Sequence, residues 1–282
     1  MTGFVTVDKA AGVSSAREVS IIKKLTGTAC GHMGTLDPMA TGVLPVAIGN
    51  AARLFDYFLT KRKTYIAVFR FGADSDTLDI TGNVVENAGL VPTYAQISEV
   101  LSEFVGEFYQ VPPKFSAKNI GGRRAYELAR AGVEFEIPNK LVNIYSIKMI
   151  PQDDERNCGF EIECSGGTYI RSIARDMGVR LGTCAIMSSL VRTVSGVFTL
   201  ENSVKTEKLT KDNIGDYIIS TDEVLPFENF YPNENEEKKL FNGLSVRTDL
   251  RDGTFKIYRT DGSFYGLAEV KHNIIKVRTK LC

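Results

Sequence analysis

Histidine is nearly missing from this chain, with His32 and His272 the only two in 282 residues. A His-Glu-x-x-His metal helix is therefore impossible, and a catalytic zinc site built on two or three histidines is disfavoured. Cysteine is sparse as well. Cys30, Cys158, Cys164, Cys184 and Cys282 are odd in number and contain no Cys-x-x-Cys pair, which argues against a zinc knuckle and a disulfide framework and favours reduced thiols. No Gly-x-Ser-x-Gly elbow, phosphate-binding P-loop or Gly-x-Gly-x-x-Gly fingerprint is present, so serine-hydrolase, NTPase and dinucleotide chemistries are disfavoured. No apolar run is long enough to cross a bilayer, and the first residues lack the basic-then-apolar pattern of an export signal; a cytoplasmic protein is expected. The net charge is zero, with 34 basic and 34 acidic residues, and gives no bulk pull toward nucleic acid.

What is present is ordinary globular composition, 43% hydrophobic and 24% charged, in a length that allows one large domain with a small companion or two middling domains. The charges are unevenly spread. Basic residues gather at Lys61, Arg62 and Lys63, at Lys114, Lys118, Arg123, Arg124 and Arg130, and along the last forty or so residues; acidic ones collect in 152–155 and 234–237. Solvated faces account for any one of these clusters alone.

Hydrophobic spacing predicts a helix over 15–27, with Ser15 and Glu18 as a capping box and Gly27 as the stop. The Gly- and Pro-punctuated stretch GHMGTLDPMATGVLPVAIG that follows, 31–49, reads as a structured loop. Two-residue alternation predicts strands at 63–71, 141–150 and 158–164. A helix capped by Thr93 carries Ile97, Val100, Leu101 and Phe104, and another ends at Gly132. Thr168 is expected to cap a helix with Tyr169 and Arg171 in its first turn. Beyond about 222 an acidic connector leads to a short helix stopped by Gly243, then short strands joined at Asp252-Gly253 and Asp261-Gly262.

With metal, nucleotide and serine chemistries set aside, Asp37 stands out as a carboxylate in a rigid-looking loop. A turn-bracing aspartate is the plain alternative. A glycosidase pairing Asp37 with Asp76 or Asp79 is another, and would need a carboxyl separation of roughly 5–9.5 Å.

The 31–49 segment closely resembles the signature loop of TruB-type tRNA pseudouridine synthases, which modify uridine 55 in the T-loop. Further matching stretches follow in order: KTY at 63–65, DTLDITG at 76–82, PPKFSA at 112–117, GRRAYELARAG at 122–132, CSGGTYIRSIARDMG at 164–178 and LVRTVSGVF at 190–198. The resemblance implies an α/β (α+β) fold: a catalytic domain, 1–225, with a mixed, mainly antiparallel sheet and flanking helices, and a small β-rich, PUA-like RNA-binding domain, 226–282. It implies that Asp37 is the nucleophile, with Arg171 supplying the counter-charge. Tyr65 packs against the target base, its part in proton transfer left open, and Tyr169 completes the pocket. By the same resemblance His32 holds the space of the flipped base, Leu190 lines the pocket, and Lys9, Lys61, Arg123 and Arg124 contact RNA. The implied reaction needs no cofactor and no metal, its partner is the T-arm of tRNA, and the protein is expected to be a monomer. A noncatalytic RNA-binding or RNA-folding protein on the same scaffold is the other reading. The chain departs from the family at 8–15, DKAAGVSS, where a Lys-Pro pair followed by Gly and Thr-Ser is usual; Met33 and Asn119 also replace commoner residues.

Overall fold

A computed structural model describes residues 1–86 and 89–282. Its larger sheet has nine strands. Seven run in the spatial order Gly3–Lys9, Thr41–Ile48, Ala185–Ser195, Lys63–Phe71, Asn157–Cys164, Lys140–Pro151 and Gly106–Gln110, with Cys30–His32 and Phe198–Thr199 paired alongside. All pairings in it are antiparallel except that of Ala185–Ser195 with Thr41–Ile48. The sheet is thus mixed and mainly antiparallel, as expected. The three central alternating strands at 63–71, 140–151 and 157–164 fall within a residue of the sequence prediction, because period two survives wherever one face is buried and the other half-exposed.

The 31–49 segment is not a loop throughout. Its second half is the strand Thr41–Ile48, buried from Gly42 to Ile48. Burial on both faces removes the alternation by which a strand is recognised. Pro45 sits where the ladder with Cys30–His32 ends: its carbonyl still accepts from the Met33 N–H at 2.9 Å, while Ala185–Ser195 pairs only at Thr41 and Gly42. A ladder's end is where a missing N–H is tolerated. Gly42 allows the close crossing, since a Cβ there would lie 2.3 Å from the Arg192 carbonyl oxygen.

The first helix, Ser15–Thr26, stops at Gly27, whose φ of 66° closes the C-terminus. Its cap, however, is Ser14 rather than Ser15: the Ser14 hydroxyl accepts from the Arg17 N–H at 3.2 Å. Ser15 is buried one residue further on and is spent elsewhere. Glu18 also turns inward, where it accepts from the Thr206 hydroxyl at 2.7 Å. Replacing exposed Ser14 with Ala is expected to cost about 1 kcal/mol, read as a lower urea midpoint with an unchanged slope.

The helix Ile170–Arg180 lays Ile170, Ile173, Ala174 and Met177 on the core side, against Tyr65, Ala67 and Phe69 of the central strand. Its cap is Tyr169, not Thr168. The capping work falls to Gln110, whose amide accepts from the Tyr169 N–H at 2.8 Å and donates to the Tyr169 carbonyl at 3.1 Å.

The C-terminal region forms a second, five-stranded sheet in the order Glu228–Phe230, Gly253–Tyr258, Phe264–Lys271, Ile274–Lys280 and Val246–Arg247, with the helix Glu234–Phe241 beside it. The Asp261-Gly262 joint is a hairpin turn as expected. The other tight turn is at His272-Asn273, both left-handed (φ 51° and 61°), and not at Asp252-Gly253. Leu267 and Leu281 from this region share a cluster with Met33, with Phe4 of the larger sheet and with Phe58 of the short helix Phe55–Leu59. No helix among the described residues is long and apolar enough to cross a membrane.

Candidate active site

A cavity of about 340 Å³ opens where the 34–37 segment, the central strand, the 116–118 segment and the start of the Ile170–Arg180 helix meet. Asp37, Tyr65, Tyr169, Arg171 and Leu190, five of the residues singled out from the sequence, all line it. Separated by as much as 153 positions in the chain, Asp37 and Leu190 reach one place because the Thr41–Ile48 and Ala185–Ser195 strands are neighbours.

Arg171 organises the centre. Its Nη2–H donates to Asp37 Oδ1 at 3.0 Å, and its Nε lies 2.9 Å from Asp37 Oδ2. Both carboxylate oxygens thus face one planar guanidinium, which fixes the direction as well as the charge. The arginine is itself held by the Thr77 carbonyl at 2.9 Å and the Phe115 carbonyl at 3.0 Å. On its far side Asp79 Oδ2 stands 3.5 Å from Nη1. Asp79 is buried, its Oδ1 accepts from the Thr77 hydroxyl and from the Thr81 N–H and hydroxyl, and it does not line the cavity of Asp37. Asp76 is turned to the Asn83 N–H and lines a different cavity. The glycosidase pairing therefore has no second carboxylate in the cavity of Asp37.

The backbone around Asp37 is pinned on both sides. Before it, Ser15 Oγ donates to the Leu36 carbonyl at 3.0 Å and accepts from the Leu36 N–H at 2.9 Å. After it, the Pro38 carbonyl accepts from the Gly12 N–H at 2.8 Å and from Lys9 Nζ at 3.1 Å. Lys9, expected as an RNA contact, is fully buried with its ammonium spent on the carbonyls of Ala10, Val13 and Pro38. It cannot reach a phosphate from there, and its place is structural. The Ala10 and Ser14 departures leave this bracing intact, because only the Ala10 carbonyl is used and Ser14 caps the helix.

Burial pushes the Tyr65 phenol up to about 12, with Arg192 acting against the rise. Burial also raises the Tyr169 phenol, with the nearby Ser116 hydroxyl and then the Arg171 charge acting against the rise. His32 stands outside the cavity lining, on the short strand Cys30–His32. Burial, then the nearby Arg192 charge, lowers its pKa and favours the neutral ring, whose buried Nδ1 has no partner among the described residues. Lys61 lies over the Tyr57 ring, 3.8 Å from its centroid. Arg123 and Arg124 are exposed on a small hairpin with Asn119–Ile120, turned by Gly121 and Gly122. Asn119 braces that turn, accepting from the Gly122 N–H at 2.8 Å.

Lysines 63, 118 and 140 and Arg192 also line the cavity. None of the four is expected there from the sequence alone, although Lys63 and Arg192 sit inside the KTY and LVRT stretches. Strand alternation from Tyr65 and Leu190 was the available signal.

A family description for the N-terminal domain of TruB family pseudouridylate synthases matches residues 23–170. The tRNA pseudouridine synthase B of Clostridium novyi (strain NT) is 38% identical over 290 aligned residues, covering 100% of both chains. That of Borrelia garinii subsp. bavariensis is 39% identical over 260 residues, covering 92% of this chain and 91% of its own. Among solved structures, a chain of a Cbf5-Nop10-Gar1 complex superposes with a TM-score of 0.72 at 24% identity, covering 99% of this chain and 85% of that one. At that identity the likeness is one of fold.

Proposed function

Because the chain belongs to the TruB family of pseudouridylate synthases, we propose that it isomerises uridine 55 in the T-loop of tRNA to pseudouridine, with Asp37 as the nucleophile. The observation that carries this reading is the pairing of the half-exposed Asp37 carboxylate with a buried Arg171 in an open cavity. A uridine cannot present its glycosidic bond while stacked, so the base is flipped into the cavity. The N1–C1′ bond breaks, uracil turns, C5 joins C1′, N1 gains a proton and C5 loses one. Attack by Asp37 divides this into two easier steps. Tyr65 and Tyr169 offer ring faces to the base, and Leu190 closes the apolar side.

The basic residues give RNA its purchase. In this reading Lys61, Arg123 and Arg124 take phosphates, which positions the T-arm without reading its sequence. We assign residues 1–225 to the catalytic domain and 226–282 to a PUA-like RNA-binding domain, in a protein that acts as a monomer in the cytoplasm. One positive face is enough, so a zero net charge does not oppose RNA binding. The test is to incubate the protein with a folded T-arm RNA tritiated at C5 of the target uridine. Stoichiometric tritium release is expected; a folded protein that releases none overturns the reading.

A further inference from the structure

The strand register that builds the cavity wall sets Arg192 directly opposite Tyr65, on the same face of the sheet. Arg192 is 1% exposed. Among the described residues no carboxylate comes within 4.0 Å of its guanidinium. Its N–H groups go instead to the carbonyls of Val43 at 2.7 Å, Gly34 at 3.1 Å and Thr35 at 3.5 Å. Lys63, two residues from Tyr65 on the same strand face, is also buried without an ion pair among the described residues. Its Nζ is spent on the Leu59 and Lys61 carbonyls.

Two buried cations without counter-ions therefore border one phenol. Buried charges are ordinarily matched by an opposite charge, and carbonyl dipoles alone compensate a guanidinium incompletely. The carboxylate across the cavity, Asp37, is already engaged by Arg171. What remains facing Arg192 is the Tyr65 side chain, paired with it across the two strands, and the Arg192 charge favours the ionised phenol.

We propose, resting on the isomerase reading above, that Arg192 is a positioning residue that makes the Tyr65 phenolate accessible as the base of the reaction. Tyr65 gives its proton to water; the phenolate, held by Arg192, then takes the proton that C5 sheds and returns to neutral phenol. The groups facing Tyr65 divide by sign. Lys63 on its own strand and Arg192 opposite are positive, Arg171 stands across the cavity beside Asp37, and Cys164 on the other neighbouring strand and Asp37 oppose ionisation. Burial outweighs Arg192 in the free protein, which is why the phenol stays near 12; without Arg192 it would ionise at still higher pH.

The test uses the full chain, free of RNA, with 3,5-difluorotyrosine at position 65, whose lower intrinsic pKa brings ionisation into range of fluorine NMR. Arg192→Gln is expected to move the position-65 titration up by about one pH unit, a tenfold change in acidity, while Arg192→Lys, which keeps the charge, moves it by less than half as much. An unmoved titration in Arg192→Gln overturns the proposal. So does an equal rise in both variants, which would report lost architecture rather than lost charge. If neither variant folds, the fluorinated but otherwise native protein decides: the Arg192 Nε–H resonance should shift as ring 65 ionises, and a fixed resonance overturns the proposal. None of these readouts involves RNA, so they stand or fall separately from tritium release.

Discussion

Asp37→Asn should bind T-arm RNA within a few-fold of the native protein and release tritium at least about 10⁴-fold more slowly in single turnover, the scale on which removal of a nucleophile is felt. The substitution is nearly isosteric, so the cavity and the basic residues around it persist. Arg171 keeps one acceptor, since Nη2–H can still donate to the amide oxygen where it now donates to Oδ1. Its Nε, now 2.9 Å from Oδ2, would meet an NH₂ group, and the two donors must part. The variant loses both the negative charge that attacks and the two-point contact that aims it. Asp37→Glu separates these losses. It restores charge but carries the carboxylate outward by one methylene, and a misplacement of about 1 Å can cost about a hundredfold. Turnover in Asp37→Asn within tenfold of native would show that the nucleophile lies elsewhere.

Arg171 is the second position of large effect, and there activity and stability should fall together. Its side chain is 6% exposed and meets Asp37, Asp79, the Thr77 carbonyl and the Phe115 carbonyl. Arg171→Met leaves Asp79 buried beside no cation and strips two carbonyls of a donor. Removal of one member of a buried ion pair typically costs about 3–5 kcal/mol, so a clear drop in the urea midpoint is expected alongside at least about a hundredfold slower tritium release. Arg171→Lys keeps the charge but cannot span four partners with one ammonium, and more than a tenfold loss is expected. Asp79→Asn placed on Arg171→Met should recover part of the stability, because it removes the stranded charge, but none of the activity. An Arg171→Lys protein with native turnover and native midpoint would remove Arg171 from the mechanism.

The elements that carry a clear period were legible in the sequence. The strand holding Tyr65 and the helix holding Arg171 follow from spacing, and Thr93 caps its helix as expected, with Gln96 completing a capping box that was not foreseen. The Thr41–Ile48 strand was hidden because both its faces are covered, which erases alternation, and because Gly42 and Pro45 look like loop punctuation until their neighbours are known. The Ser14 and Tyr169 caps differ from the expected ones by a single residue; cap position depends on where the first turn docks, which local sequence underdetermines. At the site, Asp37, Tyr65, Tyr169, Arg171 and Leu190 gather as their motifs implied. Lys9 ran against expectation because long cationic side chains are ordinarily placed at the surface, and only tertiary structure shows that the carbonyls of Ala10, Val13 and Pro38 have drawn it inside. Arg192, for which the sequence carried no expectation, is held inside by the carbonyls of Val43 and Gly34.

The bracing of Asp37 also bears on how the protein would fail. Ser15 grips Leu36 on both its backbone groups, and Lys9 and Gly12 grip Pro38. Those anchors lie on the edge strand Gly3–Lys9, the first helix and the turn that joins them, so the segment carrying Asp37 is expected to share the cooperative unit of the sheet and not to open by itself. In many enzymes the reactive loop loosens well below the melting temperature, and heat inactivation precedes unfolding. Here the two are tied together, and the last native molecules in a melting sample remain competent ones.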